Sequence, residues 1–377
     1  MRSETLHAAS VSELEAQLKH VYQSDFTPTL AITFGSIACD LNEVCQLFNQ
    51  FDIQLMGASS AGEFNEEQLF EESIVVMLLD MHPDHFRIFH TEANYATSFV
   101  AGKKLAAFGK EHFSNPAFML TFSMSVSGES IINGITDEIQ GFPKVFGGMA
   151  GDDMKMVRSF TFTNNQIGES TVTAIVIDND AIEVNGLAIC GWQPIGVENT
   201  ITKAKDNVIY TINDEPALKV VKKYFGEYFD NNTEEEAVPM GAAQYPLQMK
   251  RGDDIVLRAT LFANEDGSLN MAGPVNEGDS FRFSIAPGFD IVEDTINGFR
   301  EYHQQHGEAD ALILFSCKAR HMSLGPLVED EINGIQEIWQ KPIVGFFSYG
   351  EVGQHGTDSS YFYNETCSLV LLREKAS

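Results

Sequence analysis

The sequence predicts an α/β protein of two domains built from mixed sheets with flanking helices. The first domain is expected to be internally duplicated about a pseudo-twofold axis, and the second to join an antiparallel meander to an α/β unit. Three observations carry this prediction. One strand–helix–strand unit is written three times: Thr29–Phe34 to Gly57–Phe64 (GASSAGEF), Ala117–Phe122 to Phe146–Asp153 (FGGMAGDD), and Ala311–Ser316 to Gly345–Gly353 (GFFSYGEVG). Each copy begins with a continuous apolar run, the pattern of a strand buried on both faces. Two copies end in the pattern G-x-x-S-x-G-E, a turn of small residues that lets backbone N–H groups approach a ligand.

The elements follow in order. Ser10 to Gln23 places apolar residues at helical spacing behind a serine cap and predicts an N-terminal helix. Thr29–Phe34 is a strand, Asp40-Leu-Asn-Glu43 opens a helix as a capping-box sequence, and Ile53–Met56 is the next strand. The segments SIVVMLLDM and HFRIFHTE flank MHPDH, a Pro-Asp turn signal, and predict a hairpin. The second copy repeats this order, with a helix capped near Ser127 and a strand-rich stretch reaching EVNGLAICGW. Asn231–Pro246 lacks periodicity and carries acids, Pro and Gly, which predicts a boundary. The divisions are therefore an N-terminal helix in 1–25, a duplicated domain in 26–230 and a second domain in 231–377. In the second, DDIVLRATLF, the turn NEDGSL and GDSFRFSI read as a meander. A helix over Ile291–His306 precedes the third copy, and YFYNETCSLVLLRE closes the chain as a strand pair.

Composition narrows the partners. The 377 residues are 44% hydrophobic and 21% charged, a globular composition. Lys plus Arg number 24 against 54 Asp plus Glu, a net charge of −30, so nucleic acid and anionic membranes are repelled at long range. The five cysteines are scattered with no C-x-x-C, which argues against a zinc ribbon or a redox pair and for a reducing compartment. MRSETLHAAS is polar, unlike a signal peptide, and no apolar run approaches the ~20 residues of a membrane span. A cytoplasmic location is the expectation.

The motifs GASSAGEF, GGMAGDD, FSCKARH and GFFSYGEVG, in this order, resemble the FIST sensory domain in its N-terminal and C-terminal parts. The resemblance spans roughly Thr27 to Leu372. It implies a non-enzymatic, intracellular small-ligand sensor that regulates kinases or cyclic-nucleotide enzymes, with amino acids or other small carboxylates as one ligand class. A branch of stand-alone members of similar size is further similar: haem-binding nitric-oxide sensors acting on partner histidine kinases. The sequence contains no kinase, cyclase, receiver or methyl-accepting segment, so another protein is expected to carry the output.

Candidate ligand-binding residues lie on the strand-end turns. Ser59, Ser60, Gly62 and Glu63 in the first copy, and Ser348, Gly350 and Glu351 in the third, form either a polar cradle at strand carboxyl ends or tight turns set by geometry alone. Gly148, Gly151, Asp152 and Asp153 are their counterparts in the second copy, where paired acids suit a cation, a cap or a turn. Ser127, Gly128 and Glu129 open a helix whose free N–H groups favour an anion, or simply form its cap. Arg320 matches the arginine of the family's third strand-end motif and suits a bidentate carboxylate clamp, or a buried ion pair with an acid such as Glu351. If the cofactor is haem b, His321 is the expected iron ligand and His355 the alternative, although each also reads as a metal-free loop histidine. A serine hydrolase using Ser60 or Ser348 is the enzymatic rival, but the turns lack the first glycine and the following helix of a nucleophile elbow.

Overall fold

The computed structural model describes residues 1–226, 244–286, 288, 290–356 and 358–375. The predicted boundary at Asn231–Pro246 lies largely outside these residues. The mixed α/β class holds, and the repeated unit proves longer than its sequence signature. Each repeat runs strand, helix, strand, helix, strand, short hairpin, final strand. The first occupies Ser3–Leu79, the second Phe86–Asp178, and the third Ile182–Glu374. In the third, the strands from Gln193–Lys205 to Ser280–Ile285 intervene before helix Asp290–His306. They form a separate 8-stranded sheet with the predicted meander inside it.

Each repeat nucleates one 6-stranded sheet. Its two central strands are parallel: Leu30–Gly35 with Gln54–Ser59, Pro116–Phe122 with Val145–Met149, and Ala311–Cys317 with Ile343–Ser348. The final strand returns antiparallel along the first of these, and the opening strand pairs outside it. The hairpins do not stay at home. Glu63–Phe70 of repeat one adds to Ile343–Ser348 of repeat three. Thr161–Gly168 of repeat two adds to Gln54–Ser59 of repeat one. Glu351–Tyr363 of repeat three adds to Val145–Met149 of repeat two. The exchange closes a cycle.

Alternation along the strands explains the continuous apolar runs. Leu30, Ile32 and Phe34 face a core shared with Ala117, Met119, Ile313 and Phe315, whereas Ala31, Phe118, Leu120, Leu312 and Leu314 face helices. Phe34 and Phe346 meet in the shared core with ring centroids 4.5 Å apart. Helices Val11–Val21, Leu41–Gln50 and Gly128–Glu138 start where the caps predict, at Ser10, Asp40 and Ser127, each accepting a backbone N–H at 3.0–3.3 Å.

Three sequence expectations change. Ile74–Leu79 and Phe86–Glu92 do not form a hairpin, because the first ends one repeat and the second opens the next, in different sheets. Ser360–Tyr363 and Cys367–Glu374 likewise part, since the former belongs to the exchanged hairpin. Ser3–Ala8, read as leading into a helix, is an edge strand on Ile74–Leu79.

Candidate functional site

The three Gly-rich turns meet at the carboxyl ends of the parallel strands. Ala61 N–H donates to Phe347 O (3.0 Å), Tyr349 N–H to Met149 O (3.1 Å) and Gly151 N–H to Ser59 O (2.9 Å), so each turn is tied to the next. A Cβ on Gly151 would sit 2.7 Å from backbone atoms of Ser60 and Ala61, so only glycine permits this approach. Gly62 (φ 110°) carries a left-handed turn beside Phe347. Gly148 and Gly350 leave room for Phe315 and Phe362 respectively.

The polar residues of these turns point into the protein. Ser60 Oγ donates to Glu63, whose second oxygen accepts from Ser73 Oγ at 3.0 Å. Ser348 Oγ donates to Glu351 (2.6 Å), whose second oxygen accepts from Thr366 Oγ1 (2.7 Å). All six side chains are buried. Burial pushes Glu63 up from 4.5 to about 7 and Glu351 to about 8, against the opposing effect of the hydroxyl bonds. In repeat two the equivalent bridge is uncharged, with Thr161 and Thr171 hydroxyls 2.8 Å apart. Ser59 Oγ donates to Gly151 O at 2.6 Å and accepts from Phe160 N–H at 2.8 Å. These residues fasten strands, and the two candidate serine nucleophiles are fully buried.

Asp152 and Asp153 belong to a loop, residues 152–160, that the second repeat inserts between its turn and its hairpin. Asp152 accepts from Met156 N–H (2.9 Å), Val157 N–H (2.7 Å), Arg158 N–H (3.0 Å) and Tyr349 O–H (2.6 Å). Tyr349 Oη in turn accepts from Met154 N–H at 2.9 Å. Asp153 accepts from Ser36 Oγ at 2.8 Å. The loop holds three non-glycine residues at left-handed φ: Asp153 (54°), Met154 (62°) and Met156 (53°). Among the described residues no cluster of three His, Cys, Asp or Glu side chains could hold a metal ion.

A cavity of about 350 Å³ adjoins the turns, at the small end of the ~300–1,000 Å³ usual for ligand pockets. Its walls come from the strand end and helix start of repeat two (Met124, Ser127, Gly128), the strand end and turn of repeat three (Cys317, Ser348, Tyr349), the loop (Met154, Met156) and the inserted sheet (Ala259, Met271, Gly273). Six of the protein's 13 methionines line it: Met124, Met149, Met154, Met156, Met271 and Met322. Thioether side chains adapt to irregular apolar ligands. Asn364 lines it too, 1% exposed, with its Oδ1 unbonded among the described residues and its Nδ2 3.4 Å from Ala272 O. The equivalent cleft between repeats one and two, bounded by Ile37–Asn42 and the other side of the loop, lacks lining residues from the inserted sheet.

Of the sequence-derived candidates, Ser127, Gly128 and Ser348 line this cavity. Glu129 pairs with Arg258 at 2.7 Å. Arg320 takes the second arrangement expected of it, a buried ion pair. It is fully buried in a bidentate pair with Glu331, not Glu351, and its other N–H groups bond Cys190 O (2.6 Å), Glu365 O (3.3 Å) and Thr295 Oγ1 (2.9 Å). The Glu331 carboxylate outweighs desolvation and raises the guanidinium pKa further. His321 packs at a tilt of 31° on Phe347 with centroids 4.1 Å apart, and its Nδ1 is 3.2 Å from Lys318 Nζ. Burial, then that amine, lower its pKa to about 4. His355 Nδ1 lies 3.1 Å from Asp254 Oδ1, a bond that raises its pKa. Among the described residues no histidine lines the cavity, so neither proposed ligand fits an imidazole-ligated haem seated there. Sequence reasoning missed the methionines and Asn364. The only advance signal was the crowding of Met149, Met154 and Met156 around the second turn.

Comparison with known proteins agrees with the motifs. The FIST N domain model matches residues 29–215 and the FIST C domain model residues 217–354. A search of curated proteins returns no match. Three copies of one turn, tied together beside a cavity and matched across both parts of the family model, establish that the chain belongs to the FIST family of ligand-sensing signal-transduction domains.

Proposed function

We propose that this FIST protein is a non-enzymatic small-ligand sensor that binds its ligand in the methionine-lined cavity. The bound state passes to a partner protein, a histidine kinase or a cyclic-nucleotide enzyme, through the 152–160 loop. The observation that carries the reading is the cavity itself, which adjoins the strand-end turns and is walled on one side by that loop. The loop has left-handed φ values at three non-glycine residues and is tied by Asp152, the Tyr349 hydroxyl, Asp153 to Ser36 and Phe160 to Ser59. A ligand touching Met154 and Met156 would bias the position of this loop.

The test compares the full chain with Ala319→Trp, which fills the cavity. Small molecules released by denaturing each purified protein are identified by mass spectrometry. A molecule present near stoichiometry in the parent and missing from the variant supports the reading. Equal retention by both overturns it. The same preparation checks the rivals: a Soret band shifting with nitric oxide would carry haem-based sensing, and covalent labelling of Ser60 or Ser348 by a fluorophosphonate would carry a hydrolase. An amino-acid ligand would raise thermal stability, by about 2.7 kcal/mol at ~100-fold excess over Kd.

A further inference from the structure

We infer that the cavity takes an uncharged, mainly apolar molecule. This rests on the cavity being the sensor's ligand site.

The charge of the walls excludes the obvious alternatives. Lys318 is the one charged side chain among the lining residues. Its Nζ turns to His321 Nδ1 at 3.2 Å and lies over the Phe347 ring at 5.2 Å. Burial lowers its pKa, and the ammonium is already occupied by the imidazole nitrogen and the ring face. The nearby guanidinium groups are already engaged: Arg258 with Glu129 at 2.7 Å and Arg251 with Asp279 at 2.7 Å. A carboxylate or phosphate would enter with no free cation to meet it among the described lining residues, against a chain of net charge −30. A cation would find no carboxylate in the lining.

Asn364 adds no polar demand, since its Oδ1 is buried away from the cavity and its Nδ2 faces Ala272 O at 3.4 Å. The six thioethers supply a surface that moulds to the ligand's body rather than dictating its outline.

The probe is N-phenyl-1-naphthylamine, a neutral aromatic amine whose fluorescence rises in apolar surroundings, titrated into the full-length protein. Competitors of equal chain length are 1-decanol and decanoate, and Met322→Trp blocks the cavity. Saturable binding lost in Met322→Trp is expected. Decanol should displace the probe at a concentration about tenfold below decanoate. If the probe binds and Met322→Trp blocks it, but decanoate competes as well as decanol, the ligand class is overturned and the site stands. If the probe fails to bind, or binds Met322→Trp unchanged, the cavity reading falls and this inference with it.

Discussion

Replacing both buried turn glutamates, Glu63→Gln with Glu351→Gln, should make the protein more stable at alkaline pH and leave it nearly unchanged in acid. Each carboxyl is enclosed with two hydroxyl partners and forms no ion pair among the described residues, and its folded-state pKa stands near 7 for Glu63 and near 8 for Glu351 instead of 4.5. The folded protein thus holds these protons more tightly than the unfolded chain does. Their stabilising contribution is complete below pH 4.5 and is lost as pH rises through about 7 and about 8. At 1.36 kcal/mol per unit, the loss is about 3 kcal/mol from Glu63 and about 5 kcal/mol from Glu351. Glutamine copies the neutral acid, with an oxygen to accept from Ser60 or Ser348 and an amide to face Ser73 or Thr366. Urea unfolding from about pH 5 to about pH 9 should show the parent losing stability where the double variant does not. At about pH 5 the two should agree within about 1 kcal/mol. A parent curve flat across that window, or a variant equally destabilised at both ends, would refute the claim that these carboxyls are buried as neutral groups.

Two further outcomes follow from buried bonds. Glu331→Gln should cost about 3–5 kcal/mol by denaturant midpoint, because it leaves the Arg320 guanidinium buried without its counter-charge, whereas Arg320→Met with Glu331→Leu should recover most of that loss. Tyr349→Phe should lower global stability by only about 1 kcal/mol but speed amide exchange at Met154, since the hydroxyl is the loop's tie to repeat three; unchanged exchange there would show that the loop does not depend on it.

The sequence made the strands and helix starts of the repeats legible, for local reasons. Runs such as AFMLTF must be buried on both faces, and Ser10, Asp40 and Ser127 have the chemistry of caps. The sheet order was not legible, because Glu63–Asn65 carries nothing local that names Ile343–Ser348 as its partner. Adjacent strands such as Ile74–Leu79 and Phe86–Glu92 looked like a hairpin when a repeat boundary lay between them. At the site, the shared turn pattern sets Asp152, which follows Gly151, against Glu63 and Glu351. The inserted loop instead brings Thr161 to that place, as its pairing opposite Ala58 on the neighbouring strand shows. Arg320 lies past a strand end, where exposure is usual, but the helix Lys318–Leu324 turns it inward to Glu331. The cavity was out of reach because part of its wall belongs to the inserted sheet, far along the chain from Met124.

The circulating hairpins also bear on where the chain can be cut. Cutting between the two family segments, after residue 215, would strip Val145–Met149 of the strand Glu351–Gln354 and leave Glu63–Phe70 with no sheet to join. Both fragments would bear raw β edges, the kind that recruit other chains. The same pattern is what three separate copies of a one-repeat polypeptide would make by swapping hairpins around a ring. Within this shared ring the copies differ: the first and third carry the serine–glutamate bridge, the second carries threonines and a loop, and the third carries the extra sheet that walls part of the cavity.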